Sequence, residues 1–260
     1  MKTLRKIGMA LFAVLVSVNF TACSEEDDST DGGGVVAGGK KLTKLVMTNS
    51  AYAETETYTF SYDSKGQLIN AISIFEREGE RYTSDYQLIW GDDAIKISER
   101  YGEDVDYYTA TLDKGLIERM DVNSGDYNNY CIMTYNQAKR LVKGEEKDDY
   151  EVNAIWDGDK LMSISEDGYE TTFVYQETQN KGYFPFYSML MDIIECDVLY
   201  MAHPELCGMR TTQLPASWTI TNRNETETMN ATYEFNKDGY ISKMNIKTGD
   251  GVNTVVLDWE

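Results

Sequence analysis

The chain is 260 residues long and carries 44 Asp and Glu against 24 Lys and Arg, with a single His, for a formal net charge of −20. That balance excludes nucleic acid and anionic lipid surfaces as partners, because both are held by basic patches. One histidine leaves almost no room for His-based catalysis or a zinc site, while 19 Tyr beside 3 Pro lean towards strands.

Residues 1–22, MKTLRKIGMALFAVLVSVNFTA, place Lys2, Arg5 and Lys6 before an apolar run from Ile7 to Val18. This is the pattern of a secretory signal peptide; the run is too short to span a bilayer comfortably, and an uncleaved anchor helix is the alternative. The following FTAC resembles the lipobox of bacterial lipoproteins, which implies that Cys23 is lipidated, becomes the mature N-terminus and ties the protein to a membrane. Such a cysteine needs no disulfide partner. Residues 23–41 are acidic and then Gly-rich, the composition of a flexible tether. The acidic cluster behind Cys23 also resembles the signal that carries Bacteroidetes-type lipoproteins to the outer face of the outer membrane; a merely solvated linker explains it equally well. Without the leader the chain keeps 21 basic and 44 acidic residues, a net charge of −23.

From Leu42 to Glu260 the sequence is a repeat and suits one domain. Apolar residues alternate towards a closing residue in Tyr58-Phe60-Tyr62, Tyr86-Leu88-Trp90, Tyr108-Ala110-Leu112, Cys131-Met133-Tyr135, Val152-Ala154-Trp156, Thr171-Phe173-Tyr175, Ala231-Tyr233-Phe235 and Val255-Leu257-Trp259. The residues between them are mostly polar, as in a strand with one buried and one wet face. A polar residue or Gly follows each closing residue, and most copies then turn at Gly or Asp: YDSKG, LDKG, WDGD, FNKDG. The chain returns apolar, at Leu68 and Ile72, Ile95 and Ile97, Ile117 and Met120, Leu141, Leu161 and Ile164, and Ile241 and Met244. Each unit is therefore a hairpin. Closing residues are spaced 28, 22, 23, 21, 19, 60 and 24 apart, short enough for sequential antiparallel pairing. The expected fold is all-β: a long antiparallel β-meander of about 14–16 strands forming a curved sheet or barrel.

The unit Y-x-F-x-Y-D-x-x-G-x-L resembles the YD-type repeats of large bacterial surface and toxin-shell proteins. Together, the lipobox, acidic Gly-rich tether, YD-like hairpins and one late insertion are more closely similar to a family of gut-bacterial lipoproteins. That family has no assigned function and is described as having a porin-like fold. The resemblance implies such a fold here and carries no catalytic residue with it. It does not imply a pore, because the faces opposite the aromatic one carry Glu151, Asn153, Glu234 and Asp258 where a membrane barrel needs an apolar band.

The 60-residue gap marks an insertion, residues 177–218. Within it, Tyr187, Leu190, Met191, Ile194, Val198 and Met201 recur at helical spacing before Pro204, predicting a helix near residues 184–203 whose apolar stripe packs on the sheet. Cys196 and Cys207 share this insertion; a disulfide between them and a pair of separate thiols are both open readings. Cys131 takes a core position in copy four and should be a buried thiol.

Tests for chemistry come back thin. No Gly-x-Ser-x-Gly, His-x-x-x-His or Cys-x-x-Cys is present, and His203 before Pro204 reads as a helix C-cap. Glu234 to Asn245 mimics a calcium loop but ends in Asn where the bidentate Glu belongs, and its Asn236, Asp238 and Gly239 are turn residues of the repeat. The acids of Asp157–Asp159 and of 144–149 read as turn and loop. No metal and no cofactor are expected. Tyr82 and Tyr86, Tyr107 and Tyr108, and Tyr127 and Tyr130 could stack on sugars where they face solvent, or serve as core and cross-strand pairs. The reading that results is a non-enzymatic, lipid-anchored envelope protein of the outer membrane, held there by its lipid and exposed on the cell surface in one version. It would be a binding or scaffold module for a glycan or envelope-protein ligand. The alternative is a carboxylate-dependent hydrolase acting on glycans.

Overall fold

The computed structural model of the protein describes residues 39–125, 127–147, 150–166, 168–186, 196–222, 225–249 and 251–260. Sixteen strands follow one another along the chain: β1 Leu42–Asn49, β2 Glu54–Tyr62, β3 Leu68–Arg77, β4 Glu80–Trp90, β5 Ala94–Tyr101, β6 Asp104–Asp113, β7 Leu116–Ser124 and β8 Tyr127–Tyr135, then β9 Leu141–Glu146, β10 Tyr150–Asp157, β11 Lys160–Glu166, β12 Tyr169–Gln179, β13 Gln213–Asn222, β14 Glu225–Phe235, β15 Ile241–Lys247 and β16 Val252–Trp259. Each pairs antiparallel with its chain neighbours, and β1 pairs with β16, so the meander closes into a barrel without a free edge. The eight even strands are the eight copies of the repeat. Tyr58, Phe60, Tyr86, Leu88, Tyr108, Ala110, Cys131, Met133, Val152 and Phe173 all face inward and are buried.

One end of the barrel shows why the repeat closes on Tyr or Trp. Seven of the eight even-to-odd pairings carry a one-residue irregularity at this end, at Ser61/Tyr62, Thr111/Leu112, Thr134/Tyr135, Ile155/Trp156, Val174/Tyr175, Glu234/Phe235 and, between β16 and β1, Leu42/Lys44. The extra residue sits on the odd strand, and the ladder on that strand's other side then stops two residues short of its first core residue. Leu68, for example, pairs with Tyr62, but pairing to β4 begins only at Asn70. The Leu68 carbonyl would be an orphan, and the closing aromatic supplies its donor. Tyr62 donates to the Leu42 carbonyl, Trp90 to Leu68, Tyr135 to Ile117, Trp156 to Leu141, Tyr175 to Leu161, Tyr233 to Pro215 and Trp259 to Ile241, at 2.6–2.9 Å. Copy three obeys the same rule by exception. The β4–β5 pairing has no bulge and β5 stays paired to β6 as far as Ala94, so Leu112 has no orphan to serve.

The same bulges decide which residues of the returning strands face inward. After Leu68 the inward positions are Ala71 and Ser73, so Ile72 lies on the outer face. In copy seven the donor to Pro215 is Tyr233, and Phe235, which lacks a polar tip, is 41% exposed. Replacing Tyr135 with Phe should lower the free energy of urea unfolding by about 1–2 kcal/mol through the orphaned Ile117 carbonyl. Phe235→Leu should stay within about 0.5 kcal/mol of the wild type.

The turns beyond the closing residues are built as the repeat predicts. Asp63 Oδ1 accepts from the Lys65 and Gln67 amides, Asn136 Oδ1 from Ala138 and Arg140, and Asn236 Oδ1 from Asp238 and Tyr240. Three counterparts making the same pair of bonds identify these side chains as turn formers.

The insertion leaves the sheet after Gln179 and returns at Gln213, at the same end as the closing aromatics. Its described part holds a short helix, α1 Asp197–Ala202, and a 3₁₀ turn, Pro204–Cys207. Tyr187, Leu190, Met191 and Ile194 of the predicted stripe lie outside the described residues. Val198, Leu199, Tyr200, Met201, Leu206, Cys207 and Met209 are buried and share one core with the inner walls of the strands. The insertion is thus a plug, reaching from Tyr58 on β2 to Leu141 on β9, whose amide donates to the Gly208 carbonyl at 3.2 Å.

Candidate functional site

His203 is the residue most suggestive of chemistry, and the structure consumes both its nitrogens. It is the C-cap of α1, its amide donating to the Leu199 carbonyl at 2.8 Å, as its position before Pro204 predicts. The ring is buried edge-on against Trp90 and Tyr62, with centroids 5.1 and 6.1 Å away. The Leu68 amide donates to Nε2 at 3.2 Å, so Nε2 carries the lone pair and Nδ1 carries the proton that meets Glu205 Oε1 at 2.8 Å. A carboxylate–imidazole pair of this kind orients a general base in hydrolases, but here the basic nitrogen is spent on a backbone amide. Burial would raise the Glu205 pKa; the His203 hydrogen bond, its own backbone and Arg210 outweigh this and hold it below the ordinary carboxyl value. Burial, with the same carboxylate adding to it, pushes the pKa values of the Tyr62 phenol and the Cys207 thiol upward and makes both weaker acids. The cluster fastens the plug to β2, β3 and β4.

Away from the plug, the inner wall turns from aliphatic to acid and hydroxyl. Glu99 is 2% exposed and accepts three bonds at 2.8–2.9 Å, from Ser84 and Tyr86 at Oε1 and from Tyr108 at Oε2. With three donors around it the carboxylate is satisfied as an anion. Tyr58 is 2.7 Å from Glu56 Oε1 and 3.1 Å from Asp197 Oδ2 of the plug. Arg77 pairs with Glu54 at 3.0 Å, and Tyr127 donates to Glu146 at 3.0 Å. Nearest the far end, Phe75, Tyr82 and Tyr101 on three successive strands stand ring against ring at 6.1–6.4 Å, with Tyr82 and Tyr101 40% and 45% exposed. Solvent therefore reaches the inner wall from this side.

These positions sort the sequence candidates. Tyr86 and Tyr108 are core residues that serve Glu99. Tyr82 is an exposed aromatic on the inner rim. Tyr107 and Tyr130 lie on the outer face, the latter beneath the Arg119 guanidinium at 3.9 Å. Glu56 and Asp197 are two inner-wall carboxyls that meet at one point, and there the Tyr58 phenol oxygen fills the space where a substrate would have to enter. Both escaped the sequence reading, although the alternation that places Tyr58 inward also places Glu56 there. Cys131, Cys196 and Cys207 are buried thiols, and Cys23 lies outside the described residues. Among the described residues no His, Cys, Asp and Glu come together as three or more potential metal ligands.

The outer face carries Glu234, Asp258, Lys96, Arg119, Lys143 and Lys243 close to the closing aromatics, Glu145, Glu151 and Glu170 midway, and Arg100 towards the far end. Lys143 bridges Glu145 and Glu151 at 2.9 and 2.8 Å, and Lys243 pairs with Glu234 at 3.0 Å. Exposed Ile89, Ile132, Ile155, Val174 and Val256 stand among these charges.

The fold is similar to that of a porin-like protein from Bacteroides uniformis ATCC 8492, known from a crystal structure at 2.32 Å resolution. The TM-score is 0.68 at 16% identity, over 84% of this chain and 98% of that one. A porin-like protein from Bacteroides vulgatus ATCC 8482 aligns over 85% of this chain and 99% of that one at 12% identity, with a TM-score of 0.32 that carries no argument. No protein-family model and no curated protein matches the chain. At 16% identity the first likeness shows a shared porin-like barrel fold and nothing of activity.

Proposed function

We propose that the protein is a non-enzymatic envelope lipoprotein of the outer membrane, tethered through Cys23, whose barrel stands in water as a binding or scaffold module. The observation that carries this reading is the outer face. A barrel that crosses a bilayer needs an apolar band about 25 Å tall, and Lys or Arg at mid-depth costs roughly 2–4 kcal/mol each. Here Lys96, Arg119, Lys143 and Lys243 stand on the outer wall close to the closing aromatics and Glu145, Glu151 and Glu170 stand midway along it, so charge interrupts the wall at both depths. The inner wall adds support: barrels of this strand number enclose an aqueous channel in porins, whereas here side chains and the plug fill the end bounded by the closing aromatics. The far end, with its row of Phe75, Tyr82 and Tyr101 above a wall of carboxylates and hydroxyls, is the surface we assign to a glycan or envelope-protein ligand.

Removing the lipid site tests both halves of the proposal. The full chain with Cys23→Ala should move from the outer-membrane fraction to the soluble periplasmic fraction, while the wild type stays with the membrane. Retention of the variant in membranes through a carbonate wash would overturn the proposal, since a spanning barrel needs no lipid.

A further inference from the structure

We propose that the far end of the barrel takes up an extended peptide segment with Lys or Arg at alternate positions, its cations lying over the rings of Tyr82 and Tyr101. The inference rests on the assignment of that end as the ligand surface and names the chemistry of the ligand. Elsewhere the chain sets its own cations on its aromatic rings. Arg119 over Tyr130 and Arg210 over Tyr183 are each 3.9 Å from the ring centroid, and Lys41 over Tyr62 is 4.9 Å away. Among the described residues no Lys or Arg lies over Tyr82 or Tyr101. Both rings are open to solvent and electron-rich at the face, the surface on which a cation from another chain can sit.

The spacing of the rings selects the conformation of the ligand. Phe75 on β3 stands opposite Tyr82 on β4, and Tyr101 on β5 is one diagonal step further, with centroids 6.4 and 6.1 Å apart. Side chains on one face of an extended chain recur about every 6.6 Å, so a peptide crossing these strands meets one ring with every second residue. The wall beside the rings selects the charge. Glu80 accepts from the Tyr82 hydroxyl, Asp104 stands opposite Tyr101, and Asp106 stands opposite Glu99. Like charges directly opposite on one face of a sheet cost stability, and a bound cation relieves that cost. Arg77, the base that alternation brings to this stretch of β3, is 3.0 Å from Glu54 and is spent there. A neutral glycan would stack on the rings and leave the negative charge uncompensated, whereas a basic peptide uses both.

Titration of the mature chain with the synthetic peptide Arg-Ser-Arg-Ser-Arg-Ser tests this, calorimetry giving the affinity and NMR of the tyrosine rings the place. Tyr101→Ala should weaken binding about 3–10-fold, while Tyr101→Phe, which keeps the ring face, should stay within about 2-fold of wild type. Asp104→Asn combined with Asp106→Asn should weaken it about tenfold at low salt and flatten its salt dependence. The peptide Arg-Arg-Arg-Ser-Ser-Ser has the same charge without the alternation and should bind about 3-fold more weakly. Equal affinity for the two peptides, or an affinity unchanged in Tyr101→Ala, would reduce the effect to general attraction by an acidic chain and overturn the proposal. A neutral oligosaccharide, maltohexaose, separates the remaining outcomes. Ring shifts at Tyr82 and Tyr101 with the sugar and none with the peptide would leave the far end as the ligand surface and overturn the cationic peptide. Absence of ring shifts with either probe would overturn both.

Discussion

Gly208→Ala is expected to destabilise the protein by about 2–4 kcal/mol and to free the plug before the barrel opens. Gly208 follows the 3₁₀ turn at φ +62°, in the left-handed region, where an alanine costs roughly 1–2 kcal/mol. Space is the larger obstacle. A Cβ there would sit 2.6 Å from the Lys139 carbonyl oxygen, 2.8 Å from Tyr135 Cε1 and 2.9 Å from the Leu141 amide nitrogen. Two of these are backbone atoms of the turn leading into β9. They cannot retreat without breaking the Leu141 to Gly208 hydrogen bond, and overpacking of this sort adds about 1–3 kcal/mol. Gly102 isolates the first effect: its φ is also +62°, yet nothing lies within 4 Å of a Cβ built on it. Gly102→Ala should therefore cost only about 1 kcal/mol. Denaturation in urea measures both. Maleimide labelling of Cys196 and Cys207, only 1% and 0% exposed, should accelerate in Gly208→Ala under native conditions and remain at the wild-type rate in Gly102→Ala. Equal costs for the two glycines would mean that the plug is not held against β9.

The contrast between these two glycines also marks where a sequence stops being legible. Alternation of period two is local, so the eight inward rows from Tyr58-Phe60-Tyr62 to Val255-Leu257-Trp259 could be read directly, and with them the hairpins and Asx turns at Asp63, Asn136 and Asn236. Closure could not be read, because pairing of β1 with β16 joins residues more than 200 apart. The bulges broke the rule where it was pushed hardest. Strict alternation from Leu68 takes in no apolar residue until Ile72 suggests itself, whereas the extra residue Ile69 hands the inward place to Ala71. A spacing of three, then two, recurs as Ile117, Met120 and Val122 and as Ile241, Met244 and Ile246, and it was visible in the sequence as a periodicity that did not fit. Phe235 was misplaced for a chemical reason: the position asks for a donor as well as a ring, and only Tyr233 has one. The candidate site was less legible still. Glu56 and Glu99 follow from the same parity as their aromatic neighbours, but a carboxylate at an inward position contradicts the hydrophobic pattern until hydroxyl donors are seen around it. Asp197 and His203 reach those partners from over 130 residues away.

The second large effect tests the inward parity itself. Phe60→Ala should cost about 3–5 kcal/mol, because Phe60 is 5% exposed, lies parallel to Tyr58 with ring centroids 6.2 Å apart and stands opposite Ala71, which is too small to refill the space. For a domain of this size each kcal/mol lowers the melting temperature by roughly 2–4 °C, so the expected shift is on the order of 10 °C. Thr59→Ala, one residue earlier and on the exposed outer face, should stay within about 0.5 kcal/mol of wild type. Trp156→Ala probes the closing position, where the loss combines a half-buried ring with the donor to the Leu141 carbonyl. Trp156→Phe should recover the packing part and leave about 1 kcal/mol outstanding for the orphaned carbonyl. If Trp156→Phe were as damaging as Trp156→Ala, the hydrogen bond would outweigh the ring. The closing aromatics would then be needed chiefly as donors, which is the property that separates Tyr233 from Phe235 and accounts for Leu112 where β5 has no carbonyl to satisfy.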